Sequence, residues 1–553
     1  MTHEKFYWLN EDSRTFLSRG YLSGGETPEQ RIRDIADTAE KYLGIEGFSD
    51  KFYEYMSRGY YSLASPVWAN YGKKRGLPVS CFGSFIDDSM ESILYGVAEN
   101  GMLMKNGGGT SGYFGAVRHR GAPITDSGES SGSVHFMGLY DSLASTVSQG
   151  SVRRGFFAAY QDLSHPDADE FLDIGTEGNP IQGLTTGVIV SDKFISAMKT
   201  GDADKRRLWA KVLQRRSEIG YPYILFGDNV NNNKPQVYID KNMQIHASNM
   251  CAEIALPSSV TETFTCVLSS LNLLHWDEIK DTDAIEVLTM FLDTVCEEFI
   301  NKTAGQEYLK RAREFAINHR ALGAGVLGWH SYLQSKMIAF ESKAAAKLNL
   351  EIAKALRERS HAASRELAQR LGEPPMLKGY GMRNTTTMAI APTKSSSFIL
   401  GQVSQSIEPE FSNCYVKDLA KIKVTIKNPY LMKLLEDKGR NTDDVWETIK
   451  VADGSVQHID FLSQDEKDVF KTFAEINPYT IIDHAAVRQQ YIDQGQSLNL
   501  MVDPDMTVKE INALYLYAHE MGVKSLYYSY SMSAAQALTR KRVLSMGCAS
   551  CEA

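Results

Sequence analysis

Ser248-Asn-Met-Cys-Ala-Glu-Ile-Ala-Leu-Pro257 sets an amide (Asn249), a thiol (Cys251) and a carboxylate (Glu253) at alternate positions in an apolar run. Side chains of an extended chain repeat every second residue, so an extended segment would project all three from one face. Ile245, Ile254, Ala255 and Leu256 flank the trio and Pro257 closes the run, which would enclose it away from water and oxidants. Taken alone, the stretch also reads as a buried structural cysteine beside a capped acid, because free cysteine commonly behaves as a small buried hydrophobe. The other cysteines bear on the choice.

Cys81 lies in Pro78-Val-Ser-Cys-Phe82, Cys266 in Thr265-Cys-Val-Leu-Ser-Ser-Leu-Asn-Leu273, and the sequence ends Gly547-Cys548-Ala-Ser-Cys551-Glu-Ala553. Together with Tyr527-Tyr528, this set resembles the large, catalytic subunit of class I ribonucleotide reductases, from about residue 60 onward. The resemblance implies an α/β fold, a ten-stranded α/β barrel of two half-barrels, with Cys251 at the tip of a central finger loop. It also implies thiyl-radical reduction of ribonucleoside diphosphates. Cys251 would remove the 3′-hydrogen, Glu253 would act as general base and Asn249 would hold the sugar. Cys81 and Cys266 would deliver two electrons and become a disulfide, which requires Cα atoms within about 7 Å. Tyr528 and Tyr527 would relay the oxidising equivalent. Cys548 and Cys551 would restore the barrel thiols by exchange, themselves recharged by a thioredoxin or glutaredoxin-like reductant.

Composition is compatible with this reading. The 553 residues are 43% hydrophobic and 23% charged, ordinary for a soluble globular protein, and the net charge of −9 argues against a nucleic-acid binder with a broad basic face. Seven cysteines in so long a chain, with one close pair only at the end, do not form a secreted disulfide framework. The N-terminus has no apolar signal core, and no run of about 18 apolar residues could span a bilayer, so a cytoplasmic protein without membrane association is expected.

In order along the chain, residues 1–60 are expected to form an N-terminal helical region. Thr27-Pro28-Glu29-Gln30 carries a capping box with proline at the first helical position, followed by the stripe Ile32, Ile35, Ala36, Ala39 and Leu43. The catalytic barrel is assigned to 61–430, a further α/β part of the catalytic region to 431–532, and a flexible redox tail to 533–553. This layout leaves no room for the N-terminal activity-regulating cone of many relatives.

Several motifs gain meaning from the resemblance. Ser65 and Ser80, ordinary turn hydroxyls by themselves, match substrate contacts, as does Gly109 in the glycine-dense Lys105–Gly112. Asp88 and Ser89, potential helix caps, match an allosteric nucleoside triphosphate site with Arg118, whose planar fork suits phosphate. Gln149 and Arg153 match the loop that carries effector identity to base selection. Thr393, Lys394, Ser395 and Ser396 follow an apolar run, where hydroxyls and free amides would hold a diphosphate. Lys394 departs from the glutamate of many relatives. Gly323-Ala-Gly-Val-Leu-Gly328 is a formal GxGxxG, but it follows a helical segment, so close backbone packing is expected in place of a dinucleotide site. Val523–Tyr528 reads as a short strand, in which adjacent tyrosines would face opposite ways; the resemblance requires them to stack. Cys296 is assigned to packing, and Cys414 receives no role.

The cysteine spacing does not suit a zinc cluster, so metal ligands are expected to be none and no cofactor is expected on this chain. The radical would come from a radical-generating small (beta) subunit, and the effector-site resemblance implies a homodimer. A cobalamin-dependent reductase would share the barrel cysteines without needing Tyr527-Tyr528. A glycyl-radical relative would need a motif that the C-terminus lacks, and a non-catalytic nucleotide-binding redox protein would be indifferent to loss of Cys251.

Overall fold

The computed structural model describes residues 4–126, 128–149, 153–419, 422–503 and 505–531. At the N-terminus, helices Glu11–Ser18, Pro28–Leu43 and Phe48–Ser57 precede the first strand. The capping box closes as expected: the Thr27 side chain accepts from the Gln30 amide, and the Gln30 side chain accepts from the Thr27 amide. Ile32, Ile35, Ala36, Ala39 and Leu43 are all buried.

Ten extended segments then close a barrel. Five are parallel neighbours: β1 (Cys81–Phe85), β2 (Gly109–Tyr113), β3 (Phe157–Asp162), β4 (Thr185–Val190) and β5 (Tyr223–Phe226). The other five are β6 (Phe264–Asn272), β7 (Leu322–Leu327), β8 (residues 388–390), β9 (Leu500–Val502, preceded by the bridged Gln496) and β10 (Ser525–Leu526 continuing to Ser529–Ser531). These also run parallel, through β6 with β7, the bridges Ala324 to Met388 and Ile390 to Gln496, and β9 with β10. Two antiparallel seams join the halves, β1 against β6 and β5 against β10. Parallel strands require crossovers, supplied by outer helices such as Met90–Lys105, Ser133–Thr146, Ala203–Ile219 and Lys343–Leu371. Strands covered on both faces read as continuous apolar runs instead of alternating ones, and every residue of β5, β6 and β7 is buried.

Gly323-Ala-Gly-Val-Leu-Gly328 is almost entirely strand β7, and its glycines are packing devices. A Cβ at Gly323 would come within 3.1 Å of the Cys266 sulfur and 2.5 Å of Leu268, and one at Gly325 within 2.7 Å of the Ala389 carbonyl. Two helices between β6 and β7, Ala284–Lys302 and Lys310–His319, are separated by a turn containing the 3₁₀ segment Glu307–Leu309. The hairpin Cys414–Leu419 with Ile422–Lys427 and the helices that follow build a separate small core around Trp446, Leu431 and Phe470, which also buries Cys414. No helix among the described residues is long and apolar enough to cross a membrane.

Candidate active site

Residues 244–263, between the barrel halves, contain neither helix nor strand. The segment bonds strands from both sides: the Tyr160 hydroxyl on β3 donates to the Asn249 carbonyl at 2.7 Å, the Ser497 hydroxyl just before β9 to the Cys251 carbonyl at 2.6 Å, and the Ser525 hydroxyl on β10 to the Ala252 carbonyl at 2.7 Å. The loop therefore threads the barrel. It is not extended, so the every-second-residue condition is not met: Met250 and Cys251 form a turn, with Ala252 in the left-handed region at φ 62°. That conformation is unfavourable for a residue with a Cβ, and the surrounding hydrogen bonds hold it.

The turn nonetheless gathers the expected chemistry. Asn249, Cys251 and Glu253 are all buried. The Asn249 amide donates to the Cys81 sulfur at 3.5 Å and also bonds the Glu253 carboxyl, which accepts from the Ser497 hydroxyl at 3.1 Å. Burial pushes the Glu253 carboxyl up to about 7 against these hydrogen bonds, which favour the charged form. A buried carboxyl titrating near neutrality is poised to accept or return a proton.

Cys81 on β1 stands directly opposite Cys266 on β6. Directly opposed residues of antiparallel strands have Cα atoms about 4.5–5.5 Å apart, inside the disulfide range, and both side chains are buried. Burial, followed by the nearby Glu253 charge among the groups opposing ionisation, keeps the Cys266 thiol well above its usual range. Cys81 is also paired in register with Gly109 on its other side, and Ser80 precedes it with a buried hydroxyl. Cys296 packs in the main core, and burial pushes its thiol up to about 12.

A short helix, Lys394–Ile399, follows Thr393, which lies in the left-handed region at φ 52°. Ser395 and Ser396 are buried, and the Ser62 hydroxyl donates to the Ser396 carbonyl at 2.9 Å, bringing the segment that contains Ser65 alongside. The charge of Lys394 reaches the buried Glu408, which burial raises to about 7 and which accepts a hydrogen bond from Asn499.

Tyr527 and Tyr528 sit where β10 is interrupted, so strand alternation does not separate them. Both are buried, with ring centroids 4.4 Å apart and planes tilted by 54°. Arg216 donates to the Tyr527 carbonyl at 2.9 Å, and the Asn499 side chain accepts from the Tyr528 amide at 2.9 Å.

A second cluster lies at the edge of the first half-barrel. Arg118 pairs with Asp88 at 2.7 Å, and Ser89 caps helix Met90–Lys105. Ser148–Gln149 pairs with Arg153–Arg154 as a hairpin beside that helix. The strand following the hairpin reaches Gly109-Thr110, where the Thr110 hydroxyl donates to the Phe156 carbonyl at 3.0 Å. Of glycine-dense 105–112, Lys105 ends helix Met90–Lys105, residues 106–108 make the turn and residues 109–112 lie in β2. Cys548 and Cys551 lie outside the described residues.

The local motif does not point to Gln494, Ser497, Tyr160 or Ser525, because each approaches the loop from a distant part of the chain. The polar run Asp493–Ser497 between a helix and an apolar strand was the available signal. Gln494 accepts from the Ala255 amide at 3.1 Å and donates to the Cys266 sulfur at 3.2 Å, tying the Cys251 loop to Cys266. Gln494→Leu should leave the buried Ala255 amide unsatisfied and cost about 2 kcal/mol. A lower thermal unfolding midpoint together with reduced turnover checks this; unchanged values for both would contradict the bracing role.

Sequence profiles of the ribonucleotide reductase barrel domain match residues 79–206, 199–378 and 375–529, and the profile of its all-alpha domain matches residues 7–76. The Frog virus 3 ribonucleoside-diphosphate reductase large-subunit sequence is 34% identical over 511 residues, covering 89% of each chain. The large subunit of Invertebrate iridescent virus 3 is 32% identical, covering 93% of this chain and 92% of its own. A solved class Id ribonucleotide reductase alpha subunit from Actinobacillus ureae has a TM-score of 0.92 and 56% identity, covering 97% of this chain and 99% of that one.

Proposed function

The chain belongs to the ribonucleotide reductase large-subunit family, and on that premise we propose that it reduces ribonucleoside diphosphates to 2′-deoxyribonucleoside diphosphates for DNA precursor synthesis. The observation that carries this reading is the opposition of Cys81 and Cys266 across one seam, with Asn249 of the Cys251 loop bonded to Cys81. A thiyl radical at Cys251 takes the 3′-hydrogen while Glu253 accepts the 3′-hydroxyl proton. The 2′-hydroxyl leaves as water, and Cys81 and Cys266 supply two electrons and two protons as they form a disulfide. Hydrogen return from Cys251 to C3′ regenerates the thiyl radical.

Asn249 holds the sugar, with Ser65, Ser80 and Gly109 lining the substrate site. Thr393, Ser395 and Ser396 receive the diphosphate, with Lys394 adding a cation near Glu408. Asp88, Ser89, Arg118, Gln149 and Arg153 receive a nucleoside triphosphate effector. In a homodimer, helices Met90–Lys105 and Ser133–Thr146 would cover the exposed Met90, Leu94 and Leu139. The radical arrives from a beta subunit through Tyr528 and Tyr527, and the enzyme acts in the cytoplasm. Formation of deoxycytidine diphosphate from cytidine diphosphate tests the assignment. Turnover should require the partner; restoration by adenosylcobalamin alone would instead select the cobalamin-dependent mechanism.

Cys548 and Cys551 carry reducing equivalents from thioredoxin to the Cys81–Cys266 disulfide. Cys548→Ser should abolish thioredoxin-supported turnover and leave dithiothreitol-supported turnover largely intact. Equal loss with both reductants would remove the shuttle from the scheme.

A further inference from the structure

Beyond Tyr527-Tyr528, the chain resumes as Ser529–Ser531, paired in parallel with Leu500–Val502. Alternate residues of an extended segment share a face, and the ring centroids of Tyr528 and Tyr530 are 6.1 Å apart with planes 26° from parallel. The intervening Ser529 instead accepts a hydrogen bond from the Tyr515 hydroxyl at 2.9 Å. Tyr530 is 5% exposed and meets Phe411 edge-on at 5.3 Å, a ring 42% exposed at the surface. Tyr527, Tyr528, Tyr530 and Phe411 thus form a continuous aromatic run from the barrel interior outward.

Tyr223 also touches the relay, but at 4.7 Å from Tyr527 and 5.2 Å from Tyr528 it lies beside both rings. It therefore widens the buried cluster without extending it. Tyr530, itself as buried as Tyr528, connects that ring to the exposed Phe411. Resting on the radical-transfer reading above, we infer that Tyr530 is a third redox-active tyrosine, placed between Tyr528 and the oxidant of the partner subunit. The partner's radical takes one electron and the phenolic proton from Tyr530. The Tyr530 radical then takes one electron and one proton from Tyr528, restoring its own phenol and passing the oxidising equivalent inward. A neutral phenol has an ordinary pKa near 10, so at neutral pH the proton must leave with the electron. A phenylalanine ring can pack in this position but has no phenolic proton to transfer.

The test uses the full chain with its radical-generating partner, substrate and effector. Tyr530→Phe preserves the ring stack and should reduce turnover to the background of Tyr528→Phe. Placing 3-aminotyrosine at position 530 should trap an aminotyrosyl radical detectable by electron paramagnetic resonance. Wild-type turnover by Tyr530→Phe, or radical trapping at position 528 but not at 530, would make Tyr530 a packing residue and overturn the inference. Trapping at neither position would remove the tyrosine relay itself and this extension with it. That result is distinct from a failure confined to position 530.

Discussion

Cys251→Ala is expected to lower deoxynucleotide formation by about 10⁴-fold or more, the scale seen when a group that makes and breaks bonds is removed. The fold should survive because the loop is held at this position through the Cys251 carbonyl, which accepts the Ser497 hydroxyl and remains in alanine. The measurement is turnover with the partner subunit, accompanied by substrate binding and thermal unfolding. Near-normal binding and stability with activity lost would isolate the thiol's contribution. Wild-type turnover would return the chain to the class of nucleotide-binding redox proteins without catalysis.

The second large effect concerns Glu253. As a general base it should contribute about 10²–10⁴-fold, and Glu253→Gln should lose that factor. Because burial raises Glu253 to about 7, the wild-type substrate-dependent rate should increase with pH below that value and level off above it. The variant should lose this step. Stability follows the opposite direction. The folded value lies above the ordinary 4.5, so folding binds a proton between these values and stability decreases as pH rises through them. Ionised Glu253 then costs the fold on the order of 3 kcal/mol above neutrality. Glu253→Gln should therefore unfold at a higher temperature than wild type at pH 8, with the advantage shrinking toward pH 5. A variant equally active at every pH would remove Glu253 from proton transfer; one equally stable at both pH values would argue against the ionisation penalty.

Local chemistry made some of this arrangement legible. Thr27 and Gln30 marked a helix start because capping depends on side chains three residues apart. The glycines at 323 and 325 indicated close packing, and their missing Cβ atoms leave room for Cys266 and Ala389 neighbours. The resemblance placed Cys81 and Cys266 together, whereas no local rule could, since their proximity depends on an antiparallel seam between distant strands. Barrel closure was similarly hidden: residues 388–390 and Gln496 carry only single bridges, too short for a strand period to stand out. Whether the Cys251 segment is extended or turned is not legible locally, because its conformation depends on Tyr160, Ser497 and Ser525 from elsewhere in the chain. Tyr527 and Tyr528 bring their rings into tilted contact because β10 is interrupted at this pair, an event controlled by its neighbours and absent from the dipeptide itself.

Convergence of the barrel thiols on one sugar is most directly tested by a single turnover without external reductant in the chain carrying Cys548→Ser and Cys551→Ser. The expected result is one deoxynucleotide per active chain with two thiols lost, mapped by mass spectrometry to a Cys81–Cys266 disulfide. Product formed while both thiols remain open to alkylation, or a disulfide located elsewhere, would contradict the account.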